Sequence, residues 1–281
     1  IIKTLEKSTC TLYGVETSQY IEENGYRIYN SFDNNNYRYE RVKNKHILLK
    51  EFSSDRLKMD FTDGTLFKDS SNTKIYGYLD SFYDSPLLFA NPDSETFGNG
   101  IDILFNTIFK LFERNKNIQV IIAIKNGLRN DYIKSVIKFL CDNNIFMGRW
   151  VYIDGEINLP KFFSASDMFL TTSRYFSDDA KHLIGMHYGC VPIVPSLGIY
   201  NDTVIDILDN VARGNGFKTG CSLLKEDENS NVYADTLTKA LEIYNNNHSS
   251  WNIIMKNCLK INAGWSFKKL EKWYKIYQEV L

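Results

Sequence analysis

The chain has 281 residues, 43% of them hydrophobic and 14% aromatic, enough for one large domain or two small ones with a substantial core. Its 33 basic and 34 acidic residues leave a net charge of -1, which argues against an electrostatic partner such as bulk nucleic acid, which wants a basic face. No apolar run reaches the roughly 20 residues of a membrane span, and the opening "IIKTLEKSTC" lacks the apolar centre of a signal peptide.

The chain divides near Lys74. In the first part, "YRIYNSFDNNNYRYERV" (Tyr26 to Val42) alternates Tyr or Ile with polar residues around an Asp-Asn-Asn-Asn turn and reads as a β-hairpin. "KHILLKEF" reads as a further strand, and "SSDRLKMDFTDGTLFKDSSNTK" as a connecting segment of turn formers. Residues 1–73 are thus expected to be a small β-containing extension or linker. Residues 74–281 are expected to form an α/β domain. There "PLLFAN", "IQVIIAI", "RWVYI", "DMFLTT" and "CVPIV" are short apolar runs of strand length. Between them "GIDILFNTIFKLFERN", "DYIKSVIKFLCDNN", "NLPKFFSAS" and the stretch from about Ala180 to Tyr188 carry helical spacing, and another helix opens near Asn201. Strands that are apolar throughout must be covered on both faces, so the expectation is a Rossmann-like parallel sheet with helices on both faces. From Val232 onward the chain reads as helical. Ligands of open α/β sheets sit beyond the carboxyl ends of the strands, which points to the loops 92–100, 125–130, 153–158, 173–180 and 195–201.

The five cysteines (Cys10, Cys141, Cys190, Cys221, Cys258) are odd in number, widely spaced and without CxxC. They read as buried thiols in a reducing, cytoplasmic compartment, not as a zinc site or disulfide framework. No metal and no cofactor is called for. His182 and His187 lie five apart, not at the i, i+4 spacing of a metal pair, and read as structural or surface residues. The Tyr-rich stretch from Tyr26 to Tyr39 is the candidate surface for stacking on sugar rings. The first residue is Ile, not Met, so a fragment or processed product is expected.

Several pieces then line up in order. "KIYGYLD", "PLLFANPDSETFGNGIDIL", "LTTSRYFSDDAKHLIGMHYGCVPIV", "NDTVID", "GNGF" and "WSFKKLEKWYKIYQEVL" resemble successive motifs of glycogen and starch synthases. The resemblance runs from about Lys74 to Leu281. It implies a GT-B glycosyltransferase and, within it, only the C-terminal, nucleotide-sugar-binding domain. Such a domain works beside an N-terminal acceptor domain, whose Lys-x-Gly-Gly motif has no counterpart here.

The family's donor site stabilises a leaving diphosphate with Arg, Lys and backbone N–H groups. The positions that match it are Ser94 for the Arg, Asn99 for the Lys, Phe176 for the loop carboxylate, and Gly198 and Ile199 for a Gly-Gly turn. Arg174 keeps the family's residue, serving either structure or ligand. Asp178, beside Asp179, either swings into the site or caps the next helix. Asp93 and Glu95 would repel a diphosphate, and Leu197 and Ile199 would narrow the turn. No residue is assigned a catalytic role. Two functional readings follow from the resemblance. One is a catalytically degenerate domain acting as a binding or structural module, its partner a nucleotide-sugar, a glycan, an acceptor domain or another protein. The other is the donor-binding half of an active glucosyltransferase that uses ADP- or UDP-glucose to extend an α-glucan or glycan. A GT-B enzyme with another donor and its own residue set is a third, lesser reading.

Overall fold

A computed structural model describes residues 28–33, 35–55, 58–59, 66–67, 73–80, 84–114, 117–174, 180–220, 226–261, and 271, 274, 275, 277 and 278. Phe176 and Asp178 lie outside the described residues, as do Tyr26, Cys10 and Cys221.

The centre is a sheet in which β4 (Leu87–Ala90), β5 (Gln119–Ile124), β6 (Arg149–Asp154), β7 (Met168–Leu170), β8 (Val191–Pro195) and β9 (Phe217–Thr219) run parallel in the order β6-β5-β4-β7-β8-β9. Numbered within this set, the order is 3-2-1-4-5-6, the doubly wound dinucleotide-binding arrangement. β3 (Lys74–Leu79) adds to the β6 edge antiparallel, and β2 (Leu66–Phe67) and β1 (Lys58–Met59) follow as an antiparallel hairpin.

The strands alternate their side chains between two cores, as the pleat dictates. On β4, Leu88 and Ala90 join one cluster while Leu87 and Phe89 join the other. β5 divides likewise, with Val120, Ile122 and Ile124 on the first side and Ile121 and Ala123 on the second. The first cluster is covered by α2 (Ile101–Arg114), α3 (Asp131–Asp142), α7 (Glu226–Asn246) and α8 (His248–Leu259). The second is covered by α1 (Tyr37–Glu51) and α4 (Leu159–Ala165), with Phe89 stacked on Phe162 at 5.2 Å and edge-on to Phe163 at 5.4 Å. α5 (Lys181–His187) sends Leu183 and Met186 to one cluster and Ile184 to the other. No helix among the described residues is long and apolar enough to cross a membrane.

The expected parallel sheet and its covering helices are present, and the first part of the chain is where expectation and structure differ. Tyr37–Glu51 is a helix, in place of the second hairpin arm and of a strand at "KHILLKEF". Its buried residues, Tyr37, Arg41, Asn44, Lys45, Leu48 and Leu49, recur with helical period, but three of the six are polar. An apolar stripe was therefore absent from the sequence pattern. The Asp-Asn run starts this helix and does not turn a hairpin: the Asp33 carboxylate accepts from Asn35 N at 2.7 Å and Asn36 N at 3.0 Å. The Tyr-rich stretch is accordingly no continuous platform, since Tyr37 is buried while Tyr39 is exposed. Among the described residues a hairpin lies later, within "SSDRLKMDFTDGTLFKDSSNTK", where Lys58 pairs with Phe67 and Met59 with Leu66. β9 also escaped the sequence reading.

Candidate functional site

The strand order reverses between β4 and β7, which neighbour each other although β5 and β6 intervene in sequence. The loops beyond their carboxyl ends open a crevice there, the general ligand position of open α/β sheets. A small cleft occupies it, lined by Asn91, Asp93, Asn99, Thr171, Lys181 and His182 among others. Its free volume is about 20 Å³, room for one water, whereas small-molecule sites run from ~300 Å³ upward.

The loop after β4 is tied down residue by residue. Asn91 Nδ2 donates to Ala123 O at 2.7 Å, and Asn130, which caps α3, donates to Glu95 O at 2.6 Å. Ser94 and Asn99, the two positions matched to the family's cations, bond to each other: Asn99 Nδ2 donates to Ser94 Oγ at 2.6 Å. The loop then makes a one-turn helix at Phe97–Asn99 and reaches Gly100 at φ 68°. A Cβ on Gly100 would lie 1.9 Å from Thr172 O, so only glycine lets the loop after β7 pack here. Thr172 Oγ1 completes the contact by donating to Gly100 O at 2.9 Å.

Arg174 clamps the same two loops. Its guanidinium donates to both carboxylate oxygens of Asp102, at 2.6 and 2.5 Å, and to Phe97 O at 2.6 Å, while its own N–H meets Gly98 O at 3.0 Å. Asp102 is 4% exposed, and the planar fork matches its carboxylate. The Arg of the Ser-Arg-Tyr segment is thereby joined to the Asp of the Gly-Ile-Asp segment.

Two residues that line the crevice were given no place in the site by sequence reasoning. Lys181 Nζ pairs with Asp93 Oδ1 at 2.7 Å and donates to Asn91 O at 3.1 Å, with its side chain only 13% exposed. Asp93, expected to repel a diphosphate, is matched by this cation. The available signal was a lysine in the first turn of a helix, against the dipole, which demands a tertiary partner. His182, expected to be structural or at the surface, is 1% exposed and lines the cleft. Thr203 Oγ1 gives its one proton to Ile199 O at 2.6 Å, so in its 2.8 Å contact with His182 Nε2 the imidazole donates. Burial pushes the His182 pKa down to about 3, so the ring is neutral and its Nδ1 carries a bare lone pair. That atom is buried and meets no partner among the described residues. Burial also lowers the pKa of His187, one turn further along the helix.

The turn after β8 is gentler than its sequence suggested. Gly198 is exposed at φ 49° and opens α6 (Gly198–Thr203). Ile199 is 1% exposed and packs in the core, so its side chain is not what narrows the turn.

No family model matches the chain. Over 121 residues it is 32% identical to the glycogen synthase of Kosmotoga olearia, covering 43% of this chain and 24% of that protein. Over 131 residues it is 31% identical to the glycogen synthase of Clostridium novyi, covering 47% of this chain and 26% of that one. Among solved structures, the catalytic domain of starch synthase IV from Arabidopsis thaliana bound to ADP and acarbose superposes with a TM-score of 0.69 at 18% identity, over 95% of this chain and 48% of that one. The pneumococcal O-GlcNAc transferase GtfA, in complex with UDP and GlcNAc, gives 0.52 at 20% identity over 69% of this chain and 35% of that one. The fold is that of glycogen- and starch-synthase-like GT-B glycosyltransferases, and the chain's match spans about a quarter of the length of these glycogen synthases (24% and 26%).

Proposed function

We propose that residues 74–281 are a GT-B donor-type domain whose diphosphate chemistry has been replaced by internal contacts, with residues 1–73 as its extension, and that it acts as a binding or structural module, not as a catalyst on its own. One observation carries this reading. At the switch point, Ser94 and Asn99 bond each other, Lys181 is paired with Asp93, and Arg174 holds Asp102 bidentately. Groups that would meet a leaving diphosphate are engaged with the protein itself, and the cleft between them holds about one water, at about 20 Å³. A catalytic set that departs from its pattern at several members is lost as a unit, not in proportion. The test is glucosyl transfer from ADP- and UDP-glucose to a maltooligosaccharide by the unaltered chain. No turnover is expected, and sustained transfer would overturn the reading.

The second reading, the donor-binding half of an active glucosyltransferase, is favoured by one observation. Lys181 stands at the crevice on an ion pair that a phosphate could displace. It predicts that ADP-glucose binds, that Lys181→Ala abolishes the binding, and that adding an acceptor domain restores turnover.

A further inference from the structure

At the amino-terminal end of the sheet lies a second and far larger cavity, about 490 Å³, between α1 and the corner joining α7 to α8. Asp167 and Asp84, in its wall, precede β7 and β4, so it lies on the opposite side of the sheet from the crevice. Its volume falls in the range of small-molecule sites.

Among the described residues the wall is rich in hydrogen-bond donors and has a cationic surplus. Arg38, Arg41 and Lys45 project from one face of α1, at positions i, i+3 and i+7. Among the described residues Asp84 and Asp167 are its carboxylates. Asp167 is consumed: it pairs with Lys45 Nζ at 2.6 Å and accepts from Leu87 N at 2.8 Å. Arg41 is 6% exposed, and its guanidinium is met by the main-chain carbonyls of Phe163, Tyr188 and Ser166, with no carboxylate pairing it among the described residues. Arg38, exposed at the rim, bonds Tyr37 Oη at 3.2 Å and has no carboxylate among the described residues. His248 and Asn245 are exposed beside it and Asn252 is half-buried. Trp251 is 4% exposed and its Nε1–H has no acceptor among the described residues, an unspent donor in the wall. A buried cation that pairs with no carboxylate among the described residues raises the potential of a low-dielectric cavity, and an exposed arginine at the rim offers the fork that grips phosphate.

We propose that this cavity binds a small phosphate-bearing anion, gripped by Arg38 and His248 at the rim, with Asn245, Asn252 and the Trp251 N–H available to the rest of the ligand. The site is independent of the crevice, so its occupancy does not depend on whether that crevice binds a nucleotide-sugar. Free phosphate and a phosphorylated sugar share the recognised group and differ in what the amides would meet.

Calorimetric titration of the full chain with inorganic phosphate, and separately with a hexose phosphate, tests this. Both are expected to bind. Arg38→Ala and His248→Ala, at exposed positions where folding is undisturbed, should each weaken both ligands by about tenfold or more. Lys181→Ala at the opposite end should leave both unchanged. Tighter hexose phosphate binding that Asn252→Ala removes would assign the ligand as a sugar phosphate, and equal affinities would assign free phosphate. No binding at ~10 mM, full affinity in Arg38→Ala and His248→Ala, or loss that follows Lys181→Ala would each overturn the proposal.

Discussion

The two ends of the sheet differ in how they use their charges. At the carboxyl ends, where doubly wound folds place their ligands, Lys181 and Arg174 are paired with Asp93 and Asp102, and the cleft admits about one water at about 20 Å³. At the amino ends, Arg41 is held by carbonyls alone among the described residues, and a cavity of about 490 Å³ stands open. The same α/β frame thus supports an end whose cations are paired and an end with donors to spare. Fold and site chemistry are separable, and similarity to a starch synthase speaks to the first.

The sharpest way to break the contrast is to unlock the closed end. Gly100→Ala puts a Cβ at 1.9 Å from Thr172 O on a backbone at φ 68°, so it should cost about 3 kcal/mol or more, read as a lowered midpoint in urea unfolding. An unchanged midpoint would show that the two loops do not press on each other there.

Arg174→Ala strips the partner from a carboxylate that is 4% exposed, at a cost of about 2–3 kcal/mol. The conservative Arg174→Lys keeps the charge and forfeits the fork, so it should fall between the two in the same urea series.

His182 gives a pH signature. Burial holds its folded pKa near 3, below the 6.5 of an ordinary imidazole, so the unfolded chain binds the extra proton. The stability associated with the neutral ring is present above pH 6.5 and drains away as pH falls from 6.5 toward about 3. The slope is at most about 1.4 kcal/mol per pH unit. His182→Gln should flatten stability against pH in that window, and an unaltered slope would mean the ring is not buried neutral.

The subtlest change is Asp93→Ala, which frees Lys181 from its ion pair. Weak binding of ADP, absent from the unaltered chain, should then become measurable by titration calorimetry at ~1 mM. No gain would show that the closed end lacks more than a free cation.

The alternation from β4 to α6 was readable because its strands are apolar throughout and its helices carry period 3.6. α1 was not, because Arg41, Asn44 and Lys45 occupy half of its buried face and need specific partners: carbonyls for Arg41, Asp167 for Lys45, and the Asn30 backbone for Asn44. β9 is three residues long, too short to show a period. At the crevice, residue identities alone exposed the departures from pattern at Ser94 and Asn99. They could not show that these two side chains close on each other, nor that Lys181 answers Asp93 across 88 positions. Pairings of that separation are set by the strand order, which brings the loops after β4 and β7 together.

The most direct test of the central claim is titration of the chain with ADP-glucose and UDP-glucose, read beside Lys181→Ala. The account predicts no binding heat from either donor at ~1 mM. Binding in the tens of micromolar, abolished by Lys181→Ala, would contradict it and establish a working donor site.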